Sequence, residues 1–136
     1  MKYNLIALAC ALLLAAGLSL TVTAGPTPDV DTDGVPDSQD NCTLVPNATQ
    51  GDSDLDGYGN PCDADYDNDG SVTGVDFNLF KVGYGGSNEV YDHDCDGGVG
   101  GTDFNMLKVL YGGPPGASGL GCAGTAPCPV TAHGCP

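Results

Sequence analysis

Three features of this 136-residue chain predict a small, mostly irregular fold in which metal ions and disulfides replace a large apolar core. The chain has no tryptophan and only three phenylalanines, so burial of apolar surface cannot offset the chain entropy lost on folding. It also has seven cysteines and eighteen acidic residues against three basic ones. Small domains with such poor cores usually depend on bound metal or on disulfides. Here both signals are present.

The N-terminal segment, Met1–Ala24, has the features of a secretory signal peptide. Lys2 supplies the positive end, Leu5–Leu20 the apolar stretch, and Val22-Thr23-Ala24 the small residues of a cleavage site. The apolar stretch is short for a membrane span, so we expect no membrane insertion after signal removal. We therefore predict a secreted or cell-surface protein, of bacterial origin, with a first folded unit over residues 25–64.

All seventeen aspartates fall into four twelve-residue segments: residues 29–40 (loop one), 52–63 (loop two), 65–76 (loop three) and 92–103 (loop four). Each loop has aspartate at positions 1, 3, 5 and 12 and glycine at position 6, which is the layout of an EF-hand-type calcium loop. An acidic disordered segment is the alternative, but composition alone would not keep glycine in phase or exclude glutamate, which occurs once, at Glu89. The pattern predicts about four Ca²⁺ ions. Without them, the crowded carboxylates would repel one another and favour disorder.

Oxygen ligands are expected at positions 1, 3, 5, 9 and 12 from side chains and at position 7 from the carbonyl. In loop one these are Asp29, Asp31, Asp33, Val35, Asp37 and Asp40; in loop two, Asp52, Asp54, Asp56, Tyr58, Asn60 and Asp63. In loop three they are Asp65, Asp67, Asp69, Ser71, Thr73 and Asp76; in loop four, Asp92, Asp94, Asp96, Gly98 and Asp103. Gly100 at position 9 has no side chain, so we expect a water there. The short aspartate at position 12 is expected to reduce affinity, and the weaker sites should fall in the range of ~10⁻⁴–10⁻³ M common in extracellular modules.

Residues 29–63 read DVDTDGVPDSQDNCTLVPNATQGDSDLDGYGNPCD. This resembles a thrombospondin type 3 repeat, with its DxDxDGxxDxxDNC, NxxQ and DxDxDGxGxxCD elements. The resemblance implies a chain wrapped around calcium ions and a disulfide between Cys42 and Cys62. Asn60 stands where the family usually has aspartate, which lowers the charge of loop two.

Loops three and four begin two copies of an internal repeat that are offset by 27 residues, DYDNDGSVTGVDFNLFKVGYGG and DHDCDGGVGGTDFNMLKVLYGG. Each copy predicts one short helix after its loop, over Phe77–Tyr84 and Phe104–Tyr111. The apolar residues of each helix share a face, and we expect the two faces to pack together. They are Phe77, Phe80 and Tyr84 in the first helix and Phe104, Leu107 and Tyr111 in the second.

Position 8 separates the first two loops from the last two. Pro36 and Gly59 at this position are poor partners for a β-bridge between loops, because proline has no N–H and glycine has no side chain to pack. Val72 and Val99 suit such a bridge. We therefore predict that loops three and four pair directly through these valines.

Residues 65–113 resemble a dockerin-type domain, with two calcium loops that are each followed by one helix. The resemblance implies an α-type pair of loop-helix units that docks onto a cohesin-like partner, with Lys81 and Lys108 as basic contact residues. The alternative is that each lysine only complements the dipole of its own helix. At loop positions 10 and 11 the chain has Gly74-Val75 and Gly101-Thr102, where cellulosomal dockerins often have Ser-Thr.

The tail, residues 114–136, contains Cys122, Cys128, Cys135 and His133. Three cysteines and a histidine could bind zinc, but disulfides are favoured in an exported chain. Together with Cys95 the tail cysteines allow three pairings. We expect Cys95 to pair with one of them. Asn41 and Asn47 each begin a formal glycosylation sequon, whose use the sequence leaves open.

The composition points away from several classes of function. The acidic chain lacks the basic surface that nucleic acids and anionic membranes require. Two histidines, one glutamate and no arginine offer no catalytic constellation, so we expect no enzyme activity. The leading prediction is a calcium-stabilised structural or adhesive protein of the cell exterior. The alternatives are a docking module for a cohesin-like partner in an extracellular polysaccharide-degrading assembly, a self-assembling surface or fibre protein, and a weak calcium buffer.

Overall fold

The computed structural model describes residues 26–129 and 134–135. In this part of the chain there are two α-helices, α1 (Gly74–Gly83) and α2 (Gly101–Leu110), and no β-strand. Three short 3-10 helices span Asp37–Gln39, Asn60–Cys62 and Glu89–Tyr91. Neither α-helix is long and apolar enough to cross a membrane. The prediction of a small, mostly irregular, disulfide-rich fold is confirmed, while the predicted signal peptide lies outside the described residues.

Both helices begin three residues earlier than predicted, at loop position 10. The Thr73 hydroxyl accepts a hydrogen bond from Val75 N (3.2 Å), and the Asp76 carboxylate accepts one from Thr73 N (2.7 Å). This reciprocal capping box satisfies amides that would otherwise lack partners at the start of α1. In α2, Asp103 accepts from Gly100 N at 2.6 Å. The last aspartate of the loop therefore also starts the helix.

The two helices also end earlier than predicted. Tyr84 and Tyr111 adopt extended backbone conformations just past the last helical residue, and their side chains are 56% and 53% exposed. The prediction that these tyrosines belong to the buried helical face was wrong. The helical turn that would have directed them inward does not form.

The core lies between the two loop-helix units. Its fully enclosed residues are Ala64, Val72, Phe80, Val99 and Leu107. The aromatic rings of the two helices meet across it, with Phe104 centred 6.0 Å from both Phe77 and Phe80. The predicted packing of one helical face against the other is therefore present, but it is centred on the first two turns of each helix.

Val72 and Val99 do not pair with each other. Val72 N donates to Gly113 O and Val72 O accepts from Gly112 N, both at 2.8 Å. Val99 makes the equivalent pair of bonds with Gly85 and Gly86, at 2.8 and 2.9 Å. The direct bridge was a wrong prediction, because the glycine after each helix turns the chain at positive φ (81° at Gly85, 85° at Gly112) and brings it back to the other unit's loop. Each valine is thus paired with the segment that follows the other unit's helix.

His93 connects loop four to both preceding loops. Its side chain is fully buried, with Nδ1 2.6 Å from the Asn60 carbonyl oxygen and Nε2 2.7 Å from the Tyr66 hydroxyl. Since a carbonyl can only accept, Nδ1 must carry the proton, and the Tyr66 hydroxyl donates to Nε2. Burial lowers the pKa of His93, which is consistent with a neutral ring. The ring serves as a polar link between loops two, three and four.

The segment after α2 folds back over the first two loops. Gly116 N donates to Cys62 O (2.7 Å), Gly119 N donates to Asp40 O (2.8 Å), and Ala117 O accepts from Thr43 N (2.9 Å). The disulfides of the structure join Cys42 to Cys62, Cys95 to Cys135, and Cys122 to Cys128. The first is the pairing that the thrombospondin resemblance implied, and the second gives Cys95 a partner in the tail. This tail therefore packs as part of the folded structure.

We expect Gly119→Ala to lower the free energy of unfolding by about 1–3 kcal/mol, because its added methyl group would overlap the Asp37 carbonyl. Gly121→Ala is the matched control, since a Cβ there would meet no atom of the described residues within 4 Å. Chemical denaturation in saturating calcium would measure both variants. Equal stability of the two would contradict the described path of the tail.

Candidate metal centres

The four loops share one backbone path. In each, the position 1 carboxylate accepts a hydrogen bond from the glycine N–H at position 6, at 3.1, 2.9, 2.6 and 2.9 Å in loops one to four. This bond requires the chain to turn back sharply, and the glycines have φ between 89° and 96°. Position 4 is also left-handed in every loop: Thr32, Leu55, Asn68 and Cys95 have φ of 64°, 64°, 56° and 56°. The common sequence pattern therefore has a common structure.

This turn brings three carboxylates together in each loop. One oxygen from each member of a group lies within 4.8 Å of the others, a spacing that could hold a metal ion. The groups are Asp29, Asp31 and Asp33; Asp52, Asp54 and Asp56; Asp65, Asp67 and Asp76; and Asp92, Asp94 and Asp96. Loops one, two and four thus use positions 1, 3 and 5, whereas loop three uses 1, 3 and 12. Clusters of oxygen donors suit hard cations such as Ca²⁺.

Other predicted ligands lie outside these groups. Asp69 is not part of the loop three group, and three of the position 12 aspartates are outside theirs. Asp103 accepts from His93 N (2.8 Å), and Asp63 accepts from Asp65 N (2.9 Å). Asp37 accepts from Val30 N at 2.8 Å. The metal-ligand roles of these residues, and those of the carbonyls of Val35, Tyr58, Ser71 and Gly98, stay predictions.

The position 9 side chains make bonds within the protein. The Asn60 amide oxygen accepts from Ser53 N (2.9 Å), and its nitrogen donates to Glu89 O (3.1 Å). The Thr73 hydroxyl caps α1, as described above. These contacts hold loops two and three in shape, and the predicted ligand roles of both residues stay untested.

Loop one contains three buried carboxylate oxygens without a hydrogen-bond partner among the described residues: Asp29 Oδ1, Asp31 Oδ2 and Asp40 Oδ2. Asp40 is fully buried, and its other oxygen accepts from Cys42 N (2.8 Å) and Gln50 Nε2 (2.7 Å). Buried acceptors without donors are costly, and a cation would satisfy all three. The donor set of loop one therefore fits a calcium ion.

An amide network positions Asp40. The Gln50 side chain bridges Asp40 and Asn47, donating at 2.7 Å to the first and 2.9 Å to the second. Asn47 Nδ2 donates to Asn41 Oδ1 at 2.6 Å, and Asn47 N donates to Asp33 Oδ2 at 2.8 Å. The sequence pattern includes the side-chain amides of Asn41, Asn47 and Gln50, but it does not predict that they position Asp40. Their regular spacing between loops one and two was the available signal.

Burial, together with neighbouring carboxylates, raises the pKa of several aspartates. Burial, followed by the charge of Asp52, raises the pKa of Asp54 to about 6. Burial and the charges of Asp54, Asp52 and Asp65 raise the pKa of Asp56 to about 7. Burial and the neighbouring Asp56 also raise the pKa of Asp63 well above its ordinary value. In the absence of a cation, the folded protein therefore holds protons that its unfolded chain would release.

We expect the cation-free protein to become more stable as the pH falls from 8 to 5. Because these aspartates have raised pKa values in the folded state, their contribution to stability is full below the unfolded value near 3.8 and is lost as pH rises through about 6 to 7. His93 acts in the opposite direction below 6.5, but as a single group against several. After removal of cations on a chelating resin, the helical circular dichroism signal should therefore be small at pH 8 and larger at pH 5. With saturating calcium the trend should reverse, because protons compete with the metal; the same trend in both conditions would contradict the assignment.

Lys81 and Lys108 lie in the last turns of α1 and α2. The Lys81 Nζ sits 5.4 Å from the Phe77 ring centre, and the Lys108 Nζ sits 5.0 Å from the Phe104 ring centre. Each is therefore in cation–π contact four residues back along its own helix. This placement is compatible with the helix-dipole interpretation, and the partner-contact role stays a prediction.

The structure contains repeated carboxylate loops that suit hard cations. Comparison with known proteins finds a family that matches part of the chain. Residues 27–50 and 51–76 match the family Thrombospondin type 3 repeat. The chain therefore contains thrombospondin type 3 repeats, as the sequence predicted. The second match also includes loop three, which the sequence analysis grouped with the helical units. Residues 77–113 lie outside both matches, so the dockerin resemblance stays a prediction.

The curated relatives are much longer proteins, of which this chain matches a small part. It is 57% identical over 55 residues to thrombospondin-3 of Mus musculus, covering 32% of this chain and 6% of that protein. It is 57% identical over 54 residues to thrombospondin-3 of Homo sapiens, covering 31% and 6%. Cartilage oligomeric matrix protein of Bos taurus is 56% identical over 52 residues, covering 31% and 7%. The chain thus spans less than a tenth of the length of these relatives. No solved structure gives a significant match.

Proposed function

We propose that this protein is an extracellular calcium-binding structural module, without enzymatic activity, whose fold depends on about four Ca²⁺ ions and on disulfides. The observation that carries the proposal is the group of unpartnered buried oxygens on Asp29, Asp31 and Asp40. A protein that never bound a cation would retain the full cost of burying them. The same loop turn recurs at the other three candidate sites.

The choice of calcium rests on the ligands. The loops offer several carboxylates each, and Ca²⁺ accepts six to eight oxygens in flexible geometry, whereas Mg²⁺ requires a near-octahedral site and keeps much of its water. The extracellular setting rests on the disulfides, because such bonds persist mainly in oxidising compartments. When bound, calcium would neutralise the carboxylates that crowd the loops.

Calorimetric titration with calcium tests this proposal. The native protein is expected to bind about four ions, and Asp40→Asn to lose the loop one site or bind it at least about tenfold more weakly. Glu89→Gln is the charge-matched control, since this exposed glutamate lies outside all four loops. Absence of calcium uptake by the native protein would refute the proposal, and equal affinities in Asp40→Asn and Glu89→Gln would refute the ligand role of Asp40.

A second candidate function is docking through the duplicated helices. Three residue types recur at matching slots near the ends of α1 and α2, and all six residues are exposed: Lys81 and Lys108, Val82 and Val109, Tyr84 and Tyr111. Val82 and Val109 are 85% and 84% exposed, so an apolar side chain is exposed at the same slot of each helix. A cohesin-like partner or a second copy of the chain would be the occupant. Binding assays against cohesin-like domains, with and without calcium, and sedimentation of the protein alone would separate the two.

A further inference from the structure

The tail donates hydrogen bonds to three successive carbonyls of loop two, and among the described residues the other loops receive no such bonds at the equivalent positions. Cys128 N donates to the carbonyl of Leu55 (2.6 Å), Gly124 N to that of Asp56 (2.9 Å), and the Ser118 hydroxyl to that of Gly57 (2.7 Å). These three acceptors are consecutive and occupy loop positions 4, 5 and 6. We call residues 114–128 the strap.

The surroundings of the glycine at position 6 show the same difference between loop two and the other three loops. A Cβ added at Gly57 would lie 2.7 Å from Cys128 Sγ and 2.9 Å from Ala123 Cα. A Cβ at the equivalent glycine of the other loops would meet no atom of the described residues within 4 Å; these are Gly34, Gly70 and Gly97. Among the described residues, strap atoms therefore lie close to the position 6 glycine of loop two and not to those of the other three loops.

The strap contacts the part of the loop that is most difficult to hold. Leu55 has φ 64°, a left-handed conformation that is unfavourable for a residue other than glycine. Positions 4 to 6 also set the direction of the position 5 carboxylate, and Asp56 is only 2% exposed. Donors fixed on three successive carbonyls keep this turn formed. Two of these donors, Gly124 and Cys128, lie in the ring that the Cys122–Cys128 disulfide closes.

We propose that the strap holds loop two in its ion-binding conformation and makes it the slowest of the four loops to release its cation. This rests on the proposed function, because it assumes that loop two binds calcium. A turn that is already formed loses less conformational entropy on binding, and an enclosed turn opens less often. The strap residues act by positioning the loop and supply none of the grouped carboxylates.

Tyr58 allows loop two to be observed separately. It is the aromatic residue at position 7 of loop two, where the other loops have valine, serine or glycine. Terbium substitutes for calcium in oxygen sites and emits when a nearby tyrosine is excited. The emission that disappears in Tyr58→Phe therefore reports on loop two, and the remaining emission reports on the other tyrosines.

The test is stopped-flow release of terbium into excess chelator. Cys122→Ala/Cys128→Ala is expected to speed the Tyr58-dependent phase about tenfold and to leave the remaining phases unchanged. Ser118→Ala, which keeps the disulfide, is expected to speed it about threefold. In the native protein, the Gly124 and Cys128 amides should also be protected from hydrogen exchange when cation is bound.

The outcomes distinguish the two proposals. If terbium and calcium fail to bind the native protein, the proposed calcium function is refuted. If both bind but the Tyr58-dependent phase has its native rate in the double variant and in Ser118→Ala, the role of the strap is refuted and calcium binding stands. An equal acceleration of all phases would also refute it, since the effect would then be general destabilisation. Should the double variant not fold, Ser118→Ala alone decides.

Discussion

Removal of calcium at neutral pH is expected to unfold most of residues 26–129. The sequence has eighteen acidic residues and three basic ones. The buried carboxylates of the loops therefore depend on bound calcium for most of their charge neutralisation. The core of five enclosed residues is too small to hold the fold against that repulsion. Circular dichroism after addition of EDTA should lose the helical signal of α1 and α2, and the cooperative thermal transition should disappear.

The control for this experiment is the identity of the metal that is added back. Excess Ca²⁺ should restore the spectrum, whereas the same concentration of Mg²⁺ should restore little of it, because magnesium dehydrates reluctantly and tolerates irregular sites poorly. An unchanged spectrum in EDTA would mean that the disulfides and the apolar core are sufficient. That result would contradict the dependence of the fold on calcium.

Loss of the disulfide between loops one and two should have the second-largest effect. Cys42 and Cys62 are 20 residues apart, and both side chains are enclosed. Cys42→Ala/Cys62→Ala should lower the free energy of unfolding by about 3 kcal/mol, because the unfolded chain regains the entropy of a closed loop. Denaturation by urea in saturating calcium would measure this change.

The Cys122–Cys128 disulfide provides the comparison. Its cysteines are six residues apart, so its removal should cost only about 2 kcal/mol on the same entropic argument. The difference in the free energy of unfolding between the two double variants is more informative than either value, because strain and residual structure affect both. A larger loss from the short pair would contradict the argument. It would indicate that the strap contributes more to stability than loops one and two do.

The sequence was sufficient to predict the features that repeat. Aspartate and glycine at fixed positions indicated four loops, and the structure gives all four the same turn at positions 4 and 6. The repeat pattern around Cys42 and Cys62 identified the thrombospondin type 3 repeats, which the family match confirms. Local patterns of this kind depend on neighbouring residues. For that reason they can be recognised without a structure.

Several features that depend on distant parts of the chain were not predicted. The partners of Val72 and Val99 follow from where two helices end, and the predicted ends were wrong by one residue at each helix. His93 lies at loop position 2, where no metal ligand is expected, yet it contacts residues 27 and 33 positions away. The strap reaches loop two from about 60 residues away, as in the bond from Ser118 to Gly57. No local pattern encodes such distances.

The exchange of hydrogen bonds between the two loop-helix units makes their metal sites interdependent. Helix α1 begins within loop three and is followed by Gly85-Gly86. These two glycines hydrogen-bond to the backbone of Val99 in loop four. Helix α2 likewise begins within loop four and is followed by Gly112-Gly113, which hydrogen-bond to the backbone of Val72 in loop three. An ion that orders one loop therefore lowers the free energy of ordering the other. By thermodynamic linkage we expect the two proposed occupancies to be positively cooperative, with each ion raising the affinity for the other by the same factor.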